Sequence, residues 1–512
     1  MKIRAKSLLR LAYVFLLIAS FAYALSFFVA ALIRMNYPYD LEWLEGGIAC
    51  GVLRLLEGKP LYAAPRSEYF SLNYPPLYYL VVWAFSKICG LHYWVGRLVS
   101  ILAAICTGLL LWRLTSRYNK LNAIALIVPG LYYASFHYTG DFYDLFRIDS
   151  LAYAFALGAF YVAWSWPPLP SALFSAFFLC AAIFTKQAIT PFIPFALLFI
   201  LPKGKRAALT FSLSSLIIIT VGVAWLSSAS GDWFYELCIR KSSGIGYNLA
   251  PVSRYVLRDL IFKTPLIPLG AGCWCIWSIL SRRDRGFHKA HCSLWSLPFV
   301  GGLLTFILTR SGYVGWVNDS IPMVIFGFAF VGIFWSSVHT YHGRCARVIE
   351  WLLCLSAGLQ FLLFMYSPLQ QIPTTADRKA GDRLMATLRK YRGDILMIYH
   401  PFYPVLIGKR PSFHADELFL YYVQGGGNPE AADLPLDLLA RIEEKYYSAI
   451  VLDYDRGEKN QVTGTELVEI KKLGRLIDEH YYLAERLFDK DDPSFWPRTG
   501  WKVRPDFLYL PR

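Results

Sequence analysis

Acidic side chains crowd the stretch Tyr37-Pro38-Tyr39-Asp40-Leu41-Glu42-Trp43-Leu44-Glu45-Gly46-Gly47, which holds three carboxylates within six residues. A carboxylate set against a hydroxyl can act as a general base, and partial burial raises its pKa toward working pH. If the stretch is helical, Glu42 and Glu45 share a face at i, i+3. The Gly46-Gly47 pair permits close approach of another group. A second cluster, Gly140 to Asp149, adds Asp141, Asp144, Arg147 and Asp149. Asp149 borders an apolar run, so it is either the partner of Arg147 or a site residue; Asp141 and Asp144 read as solvated turn residues. Cations form the complementary set. Lys186 sits between two short apolar runs, Arg310 on a glycine-containing turn before Asn318 and Asp319, and Arg240, Lys241, Arg254 and Arg258 in one loop. Cations of this kind neutralise a phosphate.

These groups must be positioned by a mostly apolar chain. Of its 512 residues 56% are hydrophobic and only 17% charged, well below the roughly 25% charge of soluble globular proteins. The mean hydropathy is +0.39. This composition excludes a soluble enzyme and a disordered chain, and leaves a polytopic α-helical membrane protein. The net charge of +15 is explained by cytoplasmic loops rather than by nucleic acid. The ten cysteines show no CxxC pair and read as small buried hydrophobes.

Eleven apolar spans are expected: 11–33, 95–112, 121–139, 148–166, 171–186, 188–201, 207–229, 259–281, 292–309, 320–338 and 348–367. The first reads as an uncleaved anchor. With the N-terminus in the cytoplasm, the inner loops carry Arg113, Arg117 and Lys120; Lys203, Lys205 and Arg206; Arg282, Arg283, Arg285 and Lys289; and Arg344 and Arg347. That satisfies the positive-inside rule. Residues 75–90 (PPLYYLVVWAFSKICG) read as an interfacial helix within a long outer loop, 34–94, and not as a twelfth span. The acids and the opposing cations then share the outer face. Two domains follow: a transmembrane module, 1–368, and a charged C-terminal domain, 369–512, which ends outside the cytoplasm. The latter combines helices at 376–391 and 434–447 with strands at 395–399, 449–454 and 507–510, a small α/β pattern. His400, His414, Asp416 and Glu417 show no metal-ligand spacing and read as a solvated face.

An acidic pole opposite a basic pole at a lipid surface suits transfer of a sugar from a lipid phosphate. A leaving phosphate needs positive charge, and an acceptor hydroxyl needs a base on the opposite face of the sugar, so one displacement inverts the anomeric centre. A transporter or flippase of lipid-linked sugars is the alternative, but such proteins place functional charges near the midplane and between internal repeats, and no repeat is evident here.

From Met1 to about Ser367 the chain resembles the GT-C superfamily of polyprenyl-phosphate-sugar-dependent glycosyltransferases, in the bacterial branch related to protein O-mannosyltransferases (family 39) and the lipid A aminoarabinose transferase. The resemblance rests on the acidic first loop, Leu55-Leu56-Glu57-Gly58-Lys59-Pro60-Leu61-Tyr62, Tyr74-Pro75-Pro76-Leu77-Tyr78-Tyr79, Arg97-Leu98-Val99-Ser100, Arg147-Ile148-Asp149 and Thr185-Lys186-Gln187, in that order. It implies Asp40 as base with Glu42 its close competitor, since the acids here read Asp-Leu-Glu and not Asp-Glu. Glu45 belongs to the same acidic group. It implies Asp149 as a second acid, and Lys186 and Arg310 facing the donor phosphate, with Arg97, Arg240 and Lys241 beside them. Tyr62, Tyr74, Tyr78, Arg147 and Asn318 would contact substrate. Some relatives hold a divalent metal, Mg²⁺ or Mn²⁺, which would fall on Asp40 and Asp149. The implied partners are a polyprenyl-phosphate sugar and a lipid, glycan or protein acceptor at a bacterial inner membrane.

Overall fold

The computed structural model describes all residues except 1, 118–122, 243–245, 247–249, 251, 281–286, 313–314, 342, 417–434 and 455–470. Lys120, Arg282, Arg283, Arg285 and Glu417 therefore lie outside the described residues. The helices are α1 (Lys2–Met35), α2 (Glu45–Leu56), α3 (Leu77–Cys89), α4 (Tyr93–Ser116), α5 (Ile124–Ala134), α6 (Asp149–Ser165), α7 (Pro168–Thr185), α8 (Phe192–Ile200) and α9 (Lys205–Ala229). They continue with α10 (Val252–Tyr255), α11 (Leu266–Leu280), α12 (Phe287–Ser311), α13 (Ile321–His339) and α14 (Arg344–Leu363). The C-terminal part adds α15 (Thr375–Leu388), α16 (Tyr403–Leu406), α17 (Leu436–Glu443) and α18 (Lys471–His480).

Each of the eleven expected spans holds a helix, and the helices differ in length. Among the described residues seven helices are long and apolar enough to cross a membrane, or eight if the pair Val252–Phe262 and Leu266–Ile279, bent by 82°, counts as one. The difference is largest at 121–139. Helix α5 has 11 residues, and the chain then turns into a buried loop because Gly140 (φ 79°) and Asp141 (φ 61°) leave helical space. That loop is tolerable at depth because protein groups satisfy it: Arg34 donates to Asp141 O at 3.1 Å, and Ser135 Oγ lies 2.7 Å from the Tyr143 hydroxyl. Helix α3, with 13 residues, spans about 20 Å at ~1.5 Å per residue, short of a hydrocarbon core of ~30 Å.

Helix α13, IPMVIFGFAFVGIFWSSVH, is apolar on every side and is buried along its length; a helix of that composition belongs at the centre of a bundle. Helix α9 instead leaves Leu209, Leu213, Leu216, Ile217, Val221 and Trp225 exposed, a lipid-facing edge. Helix α12 meets α13 with almost no gap: a Cβ on Gly302 would stand 2.8 Å from the Pro322 carbonyl oxygen.

The C-terminal domain carries β1 (Ile395–Leu396), β2 (Ala449–Leu452), β3 (Tyr481–Arg486) and β4 (Phe507–Pro511) in the order β1-β2-β4-β3. Strand β1 runs parallel to β2, pairing Ile395 with Ala449; β4 is antiparallel to both β2 and β3. All four residues of β2, Ala-Ile-Val-Leu, are buried, as a strand covered on both faces requires. The two expected helices and three expected strands are present, with β1 reduced to two residues and β4 one residue longer than expected; α16, α18 and β3 add to them. The sheet domain seats directly on the first loop. Arg498 N–H and Thr499 N–H donate to Leu41 O at 2.9 and 3.2 Å, Tyr39 to Asp382 at 2.6 Å, and Phe413 N–H to Ser67 O at 3.1 Å.

Because the α12–α13 contact is backbone against backbone, Gly302→Val is expected to destabilise the protein by about 1–3 kcal/mol, read as a lowered thermal unfolding midpoint in detergent; an unchanged midpoint would contradict this packing.

Candidate active site

The first loop hangs on Arg97, near the start of α4. Its Nε and Nη2 donate to the two oxygens of Glu45 at 2.9 and 2.6 Å, Nη1 to Arg34 O and Tyr37 O at 3.0 and 2.5 Å, and Nη2 to Tyr39 O at 2.6 Å. All five guanidinium N–H groups are used. Glu45 also accepts Leu41 N–H and Phe146 N–H at 2.7 and 2.8 Å. Burial by itself would raise the Glu45 carboxyl, but Arg97 and these N–H groups hold it below its ordinary value. Glu45 and Arg97, expected as an active-site acid and a phosphate cation, are instead a saturated, fully buried ion pair with no group free for substrate. The same correction applies to two tyrosines. Tyr78 donates to Gly96 O at 2.9 Å and Tyr62 to Tyr74 O at 2.8 Å, which occupies both buried hydroxyls with the backbone.

This anchor leaves Asp40 and Glu42 buried on loop backbone ahead of α2, so Glu42 and Glu45 do not share a helix face. Asp40 Oδ2 lies 2.9 Å from His400 Nδ1, whereas Oδ1 is buried, makes no hydrogen bond of ordinary geometry among the described residues, and has the Tyr93 hydroxyl close enough to favour the carboxylate. A Cβ on Gly46 would stand 3.3 Å from that oxygen and 3.5 Å from the Tyr93 hydroxyl; Gly46 is what keeps this face open. Burial raises the Asp40 carboxyl, and the bond from His400 pulls it back. Glu42 Oε2 accepts Leu44 N–H at 3.1 Å and Arg147 Nη1 at 3.3 Å. Burial pushes its carboxyl up to about 8, against the pull of Arg147.

Arg147 carries the network onward. It donates to the Tyr74 hydroxyl at 3.2 Å, and its Nε stands 3.9 Å from Asp149 Oδ2. Asp149, first residue of α6, accepts Lys186 Nζ at 2.6 Å and Asn318 Nδ2 at 3.0 Å, both through Oδ1. Lys186 reaches it from an extended break after α7 (φ −147°), held beside Gln187, which donates to Asn73 O at 2.7 Å. Asp319 lies 3.8 Å from Lys186. At the end of α12, Arg310 donates to Gly315 O at 2.9 Å while Asp259 stands 3.8 Å from its Nε. Asp149 Oδ2, Arg147 Nε and Arg310 Nε are buried and lack hydrogen-bond partners among the described residues.

The structure thus joins Glu42, Tyr74, Arg147, Asp149, Lys186 and Asn318 in one network, with Asp40 beside it. It does not bring Arg240 there: that side chain is exposed and paired with Glu236. Lys241 is buried over the Phe70 ring at 5.7 Å. Asp144 is not a solvated turn residue but a buried partner of Arg34, at 2.7 and 3.0 Å, and Asp141 is buried against His137 at 3.2 Å. The residues expected for a divalent metal do not fit one. Asp40 Oδ2 and Asp149 Oδ1 are committed to His400, Lys186 and Asn318. No group of three His, Cys, Asp or Glu among the described residues is arranged for a metal, and Mg²⁺ asks for about six oxygens.

Of the C-terminal side chains read as a solvated face, His400 and His414 are buried and Asp416 is half-buried. His400 lies between Asp40 and Asp453, 2.9 Å from each. His414 donates from Nε2 to Trp43 O at 3.0 Å, and its Nδ1 accepts Asp416 N–H at 3.0 Å. Burial and this bonding pattern keep it neutral, its pKa down to about 3. Burial raises Asp416 to about 6, opposed by Arg147. The available signal was His400-Pro401 directly after the apolar run Ile395–Tyr399, an ionisable group at the end of a buried strand.

A helical membrane module with a small sheet domain seated on its first loop is a fold found among solved structures. Among solved structures it is similar to ArnT from Cupriavidus metallidurans in the apo state, with TM-score 0.54 and 12% identity over 86% of this chain and 92% of that chain. The same ArnT bound to undecaprenyl phosphate gives TM-score 0.58 and 11% identity over 98% of both chains. No protein-family model matches the sequence, and no curated protein matches it.

Two outcomes follow for the site. Arg97→Lys keeps the charge but loses the fork, and is expected to cost about 3–5 kcal/mol, seen as loss of folded protein on size exclusion in detergent. Glu42, at about 8 when folded against 4.5 ordinarily, binds its proton more tightly in the folded state. Its contribution is full below 4.5 and declines as pH rises through about 8. Thermal midpoints should therefore fall across that window, and Glu42→Gln should flatten the slope.

Proposed function

We propose that this chain is an integral membrane glycosyltransferase that moves a sugar from a polyprenyl-phosphate donor to an acceptor hydroxyl on the outer face of a bacterial inner membrane. The observation that carries this reading is the pairing of unsatisfied, buried groups: a carboxylate oxygen, Asp40 Oδ1, on one side, and the N–H groups Arg147 Nε and Arg310 Nε on the other. Buried polar atoms without partners are costly in a folded protein, and a hydroxyl and a phosphate are groups that would satisfy them. The fold shared with ArnT, one structure of which is bound to undecaprenyl phosphate, supports the donor class.

In this mechanism Asp40 Oδ1 takes the proton of the acceptor hydroxyl as that oxygen bonds to the anomeric carbon, and the bond from the anomeric carbon to the phosphate oxygen breaks. Polyprenyl phosphate leaves with the bonding electrons, and one in-line displacement inverts the centre. Lys186, Arg147 and Arg310 stabilise the charge that develops on the phosphate. Asp149 and Asn318 hold Lys186 in place. An apolar groove of about 430 Å³ between α3, α4, α6 and α7, lined by Phe85, Leu102, Cys106, Leu151, Phe155 and Phe178 among others, would take the lipid chain. Leu151, which lines it, is two residues from Asp149 in the chain.

The test is transfer from purified polyprenyl-phosphate sugars in proteoliposomes. Asp40→Asn is expected to lower kcat by at least roughly 100-fold, and Lys186→Met to weaken both donor binding and turnover. Full activity of Asp40→Asn in folded protein would remove Asp40 as base, and vectorial movement of the lipid-linked sugar without transfer would mark a flippase.

A further inference from the structure

We infer that His400, carried by the C-terminal domain, is a positioning residue for the reaction: pinned on its far side by Asp453, it grips Asp40 Oδ2 so that Oδ1 alone is presented to the acceptor. This rests on the reading of Asp40 as the base. The geometry is a closed row, Asp40–His400–Asp453, with both ring nitrogens 2.9 Å from a carboxylate oxygen and side-chain exposures of 1%, 2% and 4%. The ring cannot turn. It stacks on Tyr403 at 4.8 Å and 14°, Tyr403 packs on Phe495 at 6.0 Å, and the Tyr403 hydroxyl accepts the Asp40 N–H at 3.3 Å.

Both ring nitrogens face acceptors, so both donate and the ring is an imidazolium. Burial opposes that form, but Asp453 and Asp40 together raise its pKa to about 9. The groups around it come from every packed element: Asp40 from the first loop, Asp453 just beyond β2, Tyr403 from α16 and, at longer range, His414. A docking surface alone would not call for this arrangement, because apolar side chains of similar volume replace buried ion pairs with no loss and often a gain in stability. What the row accomplishes is to stabilise Asp40 as an anion where burial would protonate it, and to leave one oxygen unsatisfied. Asp453 has its own part. When Asp40 accepts a proton and becomes neutral, the imidazolium still has a carboxylate beside it, so the product state does not hold an unpaired buried cation.

The experiment compares wild type, His400→Gln and Asp453→Asn in full-length protein in nanodiscs, each checked for folding by size exclusion. His400→Gln is expected to lower kcat roughly 10- to 100-fold with donor KM changed by less than about twofold, and to move the acid limb of the kcat profile to higher pH. Asp453→Asn should shift it in the same direction and less. Difference infrared spectra against Asp40→Asn, taken without substrate, read the Asp40 carboxyl directly: a carboxylate at neutral pH in wild type, a protonated acid in His400→Gln. A folded His400→Gln with wild-type kcat and an unmoved acid limb, or with Asp40 still ionised, overturns the inference even where Asp40→Asn is inactive. A shifted Asp40 in a wild-type chain that transfers no sugar instead overturns the reading of the reaction and leaves the coupling of His400 to Asp40 in place.

Discussion

Arg97 holds the first loop in shape. Without its guanidinium, the carbonyls of Tyr37 and Tyr39 would be buried polar groups with no donor, and the Glu45 carboxylate would lose the cation that pairs it. Each such group costs about 1–3 kcal/mol, and a charge more. The loop therefore has one low-energy course, and that course passes Asp40 and Glu42 through the space between α4 and the C-terminal domain. The two acids need no strong local preference of their own. Their positions follow from the anchors on either side, which are Tyr39 O before them and Glu45 after.

The acidic and basic groups beyond the anchor alternate: Glu42, Arg147, Asp149, Lys186, Asp319. Alternation makes burial of so many ionisable groups tolerable, since each cation has an acid on both sides and each interior acid a cation on both. The distances are uneven, however. The Lys186–Asp149 contact is 2.6 Å, whereas Arg147–Asp149 is 3.9 Å and Lys186–Asp319 is 3.8 Å. The looser Arg147–Asp149 pair holds both unsatisfied atoms, Arg147 Nε and Asp149 Oδ2. A network saturated throughout, like Arg97 with Glu45, would be structural only. This one retains capacity for another charged group.

The difference between these two kinds of buried charge explains what was legible in the sequence. Apolar runs locate the long helices of the membrane module, though not α2 or α10, because the hydrophobic requirement of a bilayer is local and additive. They do not reveal the Gly140–Asp141 turn or the bend before Leu266, which are set by tertiary partners. Asp149 with Arg147, and Lys186 at its break, stood out as ionisable groups at the ends of apolar runs. Arg97 stood out only through the family resemblance, and its role is different; nothing in its neighbours distinguishes a guanidinium saturated by carbonyls 58 to 63 residues away from one left open to a ligand. Asp144 and Asp141 misled in the opposite direction, since a polar turn reads as solvated until its partner Arg34 is placed.

His400 was the least legible, and the reason is physical. Its partners Asp40 and Asp453 lie 360 and 53 residues away, on a loop and beyond a strand end that no periodicity connects. Only the docking of the sheet domain brings them together, through Leu41 O, Tyr39 and Ser67. The domain that looked like a variable appendage thus contributes side chains at both acids: His400 at Asp40, and Asp416 within the field of the Arg147 that holds Glu42. A site assembled across two modules forms only once both have folded and met. Both the burial of Asp40 and the cation that opposes the effect of that burial depend on this meeting, because His400 and Tyr403 of the sheet domain pack directly against the carboxyl loop.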